Sequence, residues 1–265
     1  MIIDCHLHLP VIKKENFEDK KKRLISELDK NKVDYAIVIP DNEENSLIGD
    51  LNMVLRLTEN EKRLFILGTI DIKKDTKKHL KQLEKLFKES KILGIKIFPG
   101  HDPIYPTDKR LIPVYKLCLK YNLPIMIHTG WNSNNQKVAK YNDPKYITEI
   151  AKNFPELKII ISHYFWPEIE YCYNLTKSFK NIYFDTSALA DKEVIMETGK
   201  EKIKKILEKT VKDNKEKVLF GSDYSCCGIK EHIDLVNSLS ISKEEKERIF
   251  SRNAIKLFKL KNIII

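Results

Sequence analysis

Short apolar runs rich in β-branched residues return along the chain about every 30 residues, the length of one strand-plus-helix unit. They cover residues 2–9, 35–40, 64–70, 94–99, 124–129, 158–163, 182–187 and 218–224. Between them the pattern switches to a helical period. Leu80, Leu83, Leu86 and Phe87 make one apolar stripe among lysines, and Ile203, Ile206, Leu207 and Val211 make another. Ser242 followed by Glu245 is a capping-box signature, and it opens a last helix through Ile249, Phe250, Ala254, Leu257 and Phe258. Eight such alternations predict an α/β fold, a (β/α)8 TIM barrel, as a single domain over residues 1–265. An open doubly wound sheet is the alternative, but it would carry a Gly-rich phosphate turn after an early strand, and none is present. Residues 41–60 and 100–110 are expected to form loops or short helices over the site.

Composition narrows the class without naming a function. The 265 residues are 42% hydrophobic and 32% charged, as in a soluble globular protein large enough to bury a core. No apolar run approaches the roughly 20 residues that span a bilayer. No basic-then-apolar leader precedes the first strand, and the five irregularly spaced cysteines read as reduced thiols. A cytoplasmic location is the resulting expectation. The net charge of +10 raises the question of nucleic acid. The basic residues are mostly lysines interleaved with Glu and Asp on helical stretches 73–91 and 200–217, whereas arginine occurs only at Arg23, Arg56, Arg63, Arg110, Arg248 and Arg252. That is the pattern of a solvated helix face. A nucleic-acid partner is therefore not expected.

Candidate chemistry begins at the N-terminus, in Ile2-Ile3-Asp4-Cys5-His6-Leu7-His8-Leu9-Pro10. Alternate residues of a strand share a face, so His6 and His8 should project together, with Leu7 and Leu9 opposite. Asp4 is expected on the histidine face, deeper in the barrel, orienting an imidazole by a hydrogen bond. All strands of a barrel end on one face. His128, His163 and Asp223 close the fifth, sixth and eighth apolar runs, so they should converge on the histidine pair. Imidazoles with one carboxylate suit zinc and leave positions open to water. Lys96 lies on the fourth strand with Phe98 on its face, and a buried lysine needs an acid, a metal or a substrate. Trp131 and Asn132, Phe165 and Trp166, and Tyr224, Ser225 and Cys226 follow strand ends, and serve either as pocket walls or as loop packing. Asp185 either orients a ligand or pairs with a neighbour. His101 could enter the pocket, while His79 and His232 fall on helices as surface or packing residues.

The order His-x-His, then His, His and Asp at the ends of strands one, five, six and eight resembles the amidohydrolase superfamily. Gly94-Ile-Lys-Ile-Phe-Pro99, Phe220-Gly-Ser-Asp-Tyr224 and Asn253-Ala-Ile-Lys-Leu-Phe258 resemble its amidohydrolase-2 branch. That branch includes aminocarboxymuconate-semialdehyde decarboxylase, resorcylate decarboxylases and lactonases. The resemblance covers essentially the whole chain. It implies a divalent metal held by His6, His8, His128 and Asp223, zinc first, with manganese, iron or cobalt as alternatives. One ion is expected, or two if Lys96 is carboxylated as in binuclear members. Asp223 would carry the proton of a metal-activated water. His163 would donate to the substrate carbonyl or join the metal set. Lys96, Trp131, Trp166 and Tyr224 would contact a small-molecule substrate.

The implied reaction is hydrolysis of a small ester, lactone or amide, with non-oxidative decarboxylation of an aromatic or enol acid as the alternative. The compact length favours hydrolysis, because the characterised decarboxylases tend to carry an extra insertion. TatD-like nucleases share the histidine pair but have glutamate where Lys96 stands, which counts against phosphodiester cleavage. Relatives often have proline after Gly-Ser-Asp-Tyr, where this chain has Ser225-Cys226-Cys227, so the shape of the eighth loop and the role of the Cys226-Cys227 pair stay open. A homodimer is an expectation drawn from relatives alone.

Overall fold

The computed structural model describes residues 1–11, 16–131 and 136–260. Its strands are β1 (Ile3–Leu7), β2 (Tyr35–Val38), β3 in two segments (Leu64–Ile66 and Gly68–Thr69), β4 (Ile95–Ile97), β5 (Ile125–Ile127), β6 (Ile159–Ile161), β7 (Ile182–Asp185) and β8 (Val218–Leu219). Every pairing between them is parallel. The ladder changes partner at Leu67, whose N–H donates to Val38 O at 3.2 Å, while Gly68 N–H donates to Gly94 O at 2.9 Å. That handover splits the third strand. The ring closes from β8 to β1 through Cys5 N–H to Phe220 O at 2.8 Å and Asp223 N–H to His6 O at 2.8 Å. The fold is the expected TIM barrel.

Helices lie where the periodicity put them. Helix Thr76–Lys88 buries Leu83, Leu86 and Phe87, and helix Lys200–Asp213 buries Ile203, Ile206, Leu207 and Val211. Ser242 and Glu245 form the reciprocal capping box. The last helix then passes through a π turn at Arg248–Arg252 before Asn253–Leu257. Buried Asn253 donates to Lys215 O at 2.9 Å and Val218 O at 2.8 Å, which pins this helix to the start of β8. The stretch after β2 contains helix Leu51–Thr58, and the stretch after β4 is loop up to a 3-10 turn at Lys109–Leu111. Among the described residues no helix is long and apolar enough to cross a membrane.

One irregularity matters for the site. Asp4 pairs with Ala36 and Leu7 with Val38, so β1 sets three steps against two on β2. Such a bulge breaks the alternation of faces. Ile3 and Cys5 pack in an apolar cluster with Ile37, Ile39, Met126, Ile160 and Leu219, whereas Leu7 and Leu9 pack in the other cluster with Val38 and Leu24. Two faces that would have stayed separate are thus exchanged between Cys5 and His6. Asp4 turns away from the histidine side, contrary to the strict alternation expected from the sequence.

Candidate metal centre

The C-terminal strand ends surround a cavity of about 330 Å³, and His6, His8, Lys96, His128, His163 and Asp223 all line it. His6 and His8 leave β1 after the bulge. His128 follows β5, His163 follows β6 and Asp223 follows β8. His163 and Asp223 have left-handed backbones, with φ of 62° and 61°, conformations that non-glycine residues seldom adopt and that here turn the chain sharply at the strand ends.

The histidine tautomers follow from their partners. His8 Nδ1 lies 2.8 Å from Ile39 O, which can only accept, so the ring donates there and leaves Nε2 bare. His6 Nδ1 donates in the same way to Asp185 Oδ2 at 2.8 Å. The two Nε2 atoms each lie 3.4 Å from Asp223 Oδ1. Ser187 gives its only hydroxyl proton to Asp185 Oδ1, so its Oγ must accept from His163 Nδ1 at 2.8 Å. His163 therefore also presents a bare Nε2. Its ring centre is 4.9 Å from that of His6 and 5.0 Å from that of His128. His128 Nε2 is buried without a hydrogen-bond partner among the described residues.

Burial lowers His6 to about 3, puts His128 well below its ordinary value, and lowers His163. All three rings are neutral and can offer a lone pair at neutral pH. Burial opposes the charge of Asp223, yet its carboxyl lies well below the usual carboxylate range, because in acid the surrounding rings, His163 first, take up protons and stabilise the carboxylate. Bare nitrogens converging with an ionised carboxylate fit a divalent cation. His6, His8 and Asp223 offer ligand atoms that all lie within 4.8 Å of one another. Asp185 and Ile39 O are the outer supports that fix ligand rings.

Lys96 is fully buried, and its Nζ donates to Ser162 Oγ at 2.6 Å. Desolvation lowers its pKa from 10.5 to about 8. Its Nζ sits 5.5 Å from the centre of the Phe98 ring, which also lines the cavity. Trp131 and Trp166 line the cavity as expected, with ring centres 6.1 Å apart. His101 enters it too, edge-on to His128 at 4.4 Å.

Two expectations are corrected. Asp4 does not touch an imidazole; it accepts from His6 N–H at 3.0 Å, Ser222 N–H at 3.1 Å and Ser222 Oγ at 2.5 Å. It is therefore a clasp across the β1–β8 seam, and the imidazole it was expected to orient is held by Asp185. Burial raises the Asp4 carboxyl to about 7. Tyr224 is not among the cavity-lining residues, and its half-buried ring packs against the main apolar cluster. Phe165 is likewise buried in that cluster. Asn132 lies outside the described residues. Cys226, exposed, and Cys227, half-buried, do line the cavity as free thiols, and partial desolvation with the nearby Asp223 and Asp191 carboxylates raises both above the usual thiol range. His232 is a packing residue, donating to Gly228 O at 2.7 Å and accepting from Ala190 N–H at 3.2 Å.

Sequence reasoning missed several supports. Ser187 and Ser162 sit at the ends of strands already suspected of chemistry, and a parity count from Asp185 and His163 would have pointed to Ser187. Asn142 carried no such signal. It is buried between the loops after β4 and β5, donating to Pro99 O at 3.1 Å and Gly130 O at 3.2 Å, and accepting from Gly130 N–H at 3.2 Å. It fixes the two loops that carry His101 and Trp131.

Gly221 shows how tightly the ligands are packed. A Cβ there would lie 2.9 Å from His6 Cβ and 3.4 Å from Ser187 Cβ. Gly221→Ala is expected to cost about 1–3 kcal/mol by overpacking and to weaken metal binding by displacing His6. Thermal unfolding together with metal titration checks this. Unchanged metal affinity would mean that His6 is not held from this side.

An amidohydrolase family model, Amidohydro_2, matches residues 3–260. A search of curated proteins returns no match. Among solved structures, an uncharacterized TIM-barrel protein from Bordetella bronchiseptica is similar at 20% identity and TM-score 0.78, covering 97% of this chain and 98% of that one. A probable 2-pyrone-4,6-dicarboxylic acid hydrolase from Acinetobacter baumannii, with citric acid bound, matches at 16% identity and TM-score 0.70, covering 97% and 99%. A 5-carboxyvanillate decarboxylase from Novosphingobium aromaticivorans, complexed with manganese and 4-hydroxy-3-methoxy-5-nitrobenzoic acid, matches at 12% identity and TM-score 0.68, covering 98% and 96%. At these identities the likeness speaks for the fold.

Proposed function

Since the chain belongs to the Amidohydro_2 family of amidohydrolases, we propose that it is a metal-dependent hydrolase of a small ester, lactone or amide. The observation that carries this reading is the convergence of the bare His6 and His8 Nε2 atoms on Asp223 Oδ1, each at 3.4 Å, in a cavity that His128, with its unpartnered Nε2, also lines. These four residues would hold one divalent cation, zinc first because the set is three imidazoles and a carboxylate. Manganese is the alternative, as in the decarboxylase complex. The cation would supply Lewis acidity that polarises a carbonyl and makes water a usable nucleophile near neutral pH.

The protein's own groups do the rest. Asp223, ionised and facing the cavity, accepts the proton of the attacking water and returns it to the leaving group. His163 acts through a bare Nε2, so as a neutral ring it accepts a proton or completes the metal set rather than donating to a carbonyl. Lys96 keeps two N–H donors beyond its bond to Ser162. They would meet a carboxylate or carbonyl oxygen of the substrate, which favours an unmodified amine and a single ion over a carboxylated bridge.

Decarboxylation is the second reading, supported by the aromatic walls Phe98, Trp131 and Trp166 beside the Lys96 ammonium. The deciding experiment is a screen of zinc- and manganese-loaded protein against lactones, esters, amides and aromatic carboxylates, with product analysis. Addition of water is expected. Release of carbon dioxide without hydrolysis would replace the first reading by the second.

A further inference from the structure

We propose that the substrate carries a positive charge at the end remote from the reacting bond, a step that rests on reading this cavity as the hydrolase site. The charges lining the cavity are segregated. Lys96, on the floor, is the only lysine or arginine among the described lining residues. Four carboxylates line the same cavity: Asp223 in the metal set, Asp41 on the loop after β2, and Asp191 and Glu193 at the cap and first turn of helix Lys192–Thr198 after β7. Among the described residues none of these last three forms an ion pair with a lysine or arginine. Nearby Lys73 pairs instead with Asp102, and Lys74 with Asp71 and Glu44. An acidic mouth is notable in a chain of net charge +10.

The aromatic side chains stand next to that charge. The sheet order β5-β6-β7 sets the Trp131 loop beside the Trp166 loop, and the Trp166 loop beside Asp191 and Glu193. Trp131 N–H donates to Trp166 O at 3.0 Å, which ties the first two loops together. Indole rings and carboxylates that line one cavity suit an ammonium or guanidinium group. A second carboxylate on the substrate would find no lysine or arginine among the described residues lining this mouth and would face Asp41, Asp191 and Glu193 instead. The substrate class that fits is amphoteric: an anionic or carbonyl-bearing end for Lys96 and the metal ligands, and an amine or guanidine for the mouth.

Both tryptophans of the chain line the cavity, so fluorescence excited selectively in tryptophan reports on this site. The zinc-loaded protein is titrated with 5-aminopentanoate, and with hexanedioate and hexanoate, carboxylates of equal chain length whose remote ends are anionic and uncharged. 5-Aminopentanoate is expected to bind about tenfold more tightly than hexanedioate, a modest gain for removing like-charge contact. The double variant Asp191→Asn, Glu193→Gln is expected to erase that preference. Asn at 191 retains an oxygen for the helix cap, where Asp191 now accepts from Glu193 N–H at 2.8 Å. Equal or tighter binding of hexanedioate, no fluorescence response to any of the three, or a preference that survives in the double variant overturns the proposal. The hydrolase reading fails separately: binding preference without turnover of any ester, lactone or amide sinks that reading and leaves the charge preference standing.

Discussion

Replacing both His6 and His8 by alanine is expected to take the bound divalent metal from about one ion per chain to background, because two of four proposed ligands are lost. The fold should survive. Neither ring is part of the apolar clusters, and the β1–β8 seam is clasped by backbone bonds and by Asp4 with Ser222. The two removals differ in what they leave behind. Without His8, Ile39 O loses one donor. Without His6, the buried Asp185 Oδ2 loses its 2.8 Å partner, while Oδ1 still accepts from His163 N–H and Ser187 N–H, each at 3.2 Å. Losing one partner of a buried group costs about 1–3 kcal/mol. A lower melting temperature with unchanged far-UV circular dichroism is therefore the expected companion of metal loss. Elemental analysis of the purified variant decides it: full metal content would remove both histidines from the ligand set. A parent value near two ions per chain would reopen a carboxylated Lys96.

The barrel was readable because its signal is redundant. Eight apolar runs at one period, with helical stripes between them, leave few folds to choose from, and the strand-end rule then gathers His6, His8, His128, His163 and Asp223 into one place. Where the reading failed, single-residue geometry was at stake. Alternation predicts that Asp4 and His6 share a face, but the bulge in β1 inserts a residue that no local composition announces. The expected imidazole support therefore moved from Asp4 to Asp185, 181 positions further on. Tyr224 shows the same limit. Its position one residue after a ligand suggested the pocket, yet after the left-handed turn at Asp223 its half-buried ring packs against the main apolar cluster. Ser187 and Asn142 matter through hydrogen bonds to residues distant in sequence, and such partners are visible only once the chain is folded.

Asp223→Asn is expected to lower kcat by about 10²–10⁴, the range for losing a positioned proton acceptor. Asparagine is the informative choice because it disturbs little else. It tolerates the left-handed conformation at φ 61° better than most residues. It also keeps the backbone bond from residue 223 to His6 O at 2.8 Å. Its amide oxygen can still face the His6 and His8 Nε2 atoms. What disappears is the negative charge of Asp223, whose carboxyl lies well below the usual carboxylate range, and with it the capacity to take a proton. Weaker metal binding is a second consequence, so rates must be compared at saturating zinc, with the metal content of each sample measured. A loss of turnover that excess zinc restores would make Asp223 a ligand and no more. A loss that persists in fully loaded protein assigns it the proton. Near-parental turnover at full loading would transfer the proton to His163, whose bare acceptor lines the cavity outside the four proposed ligands.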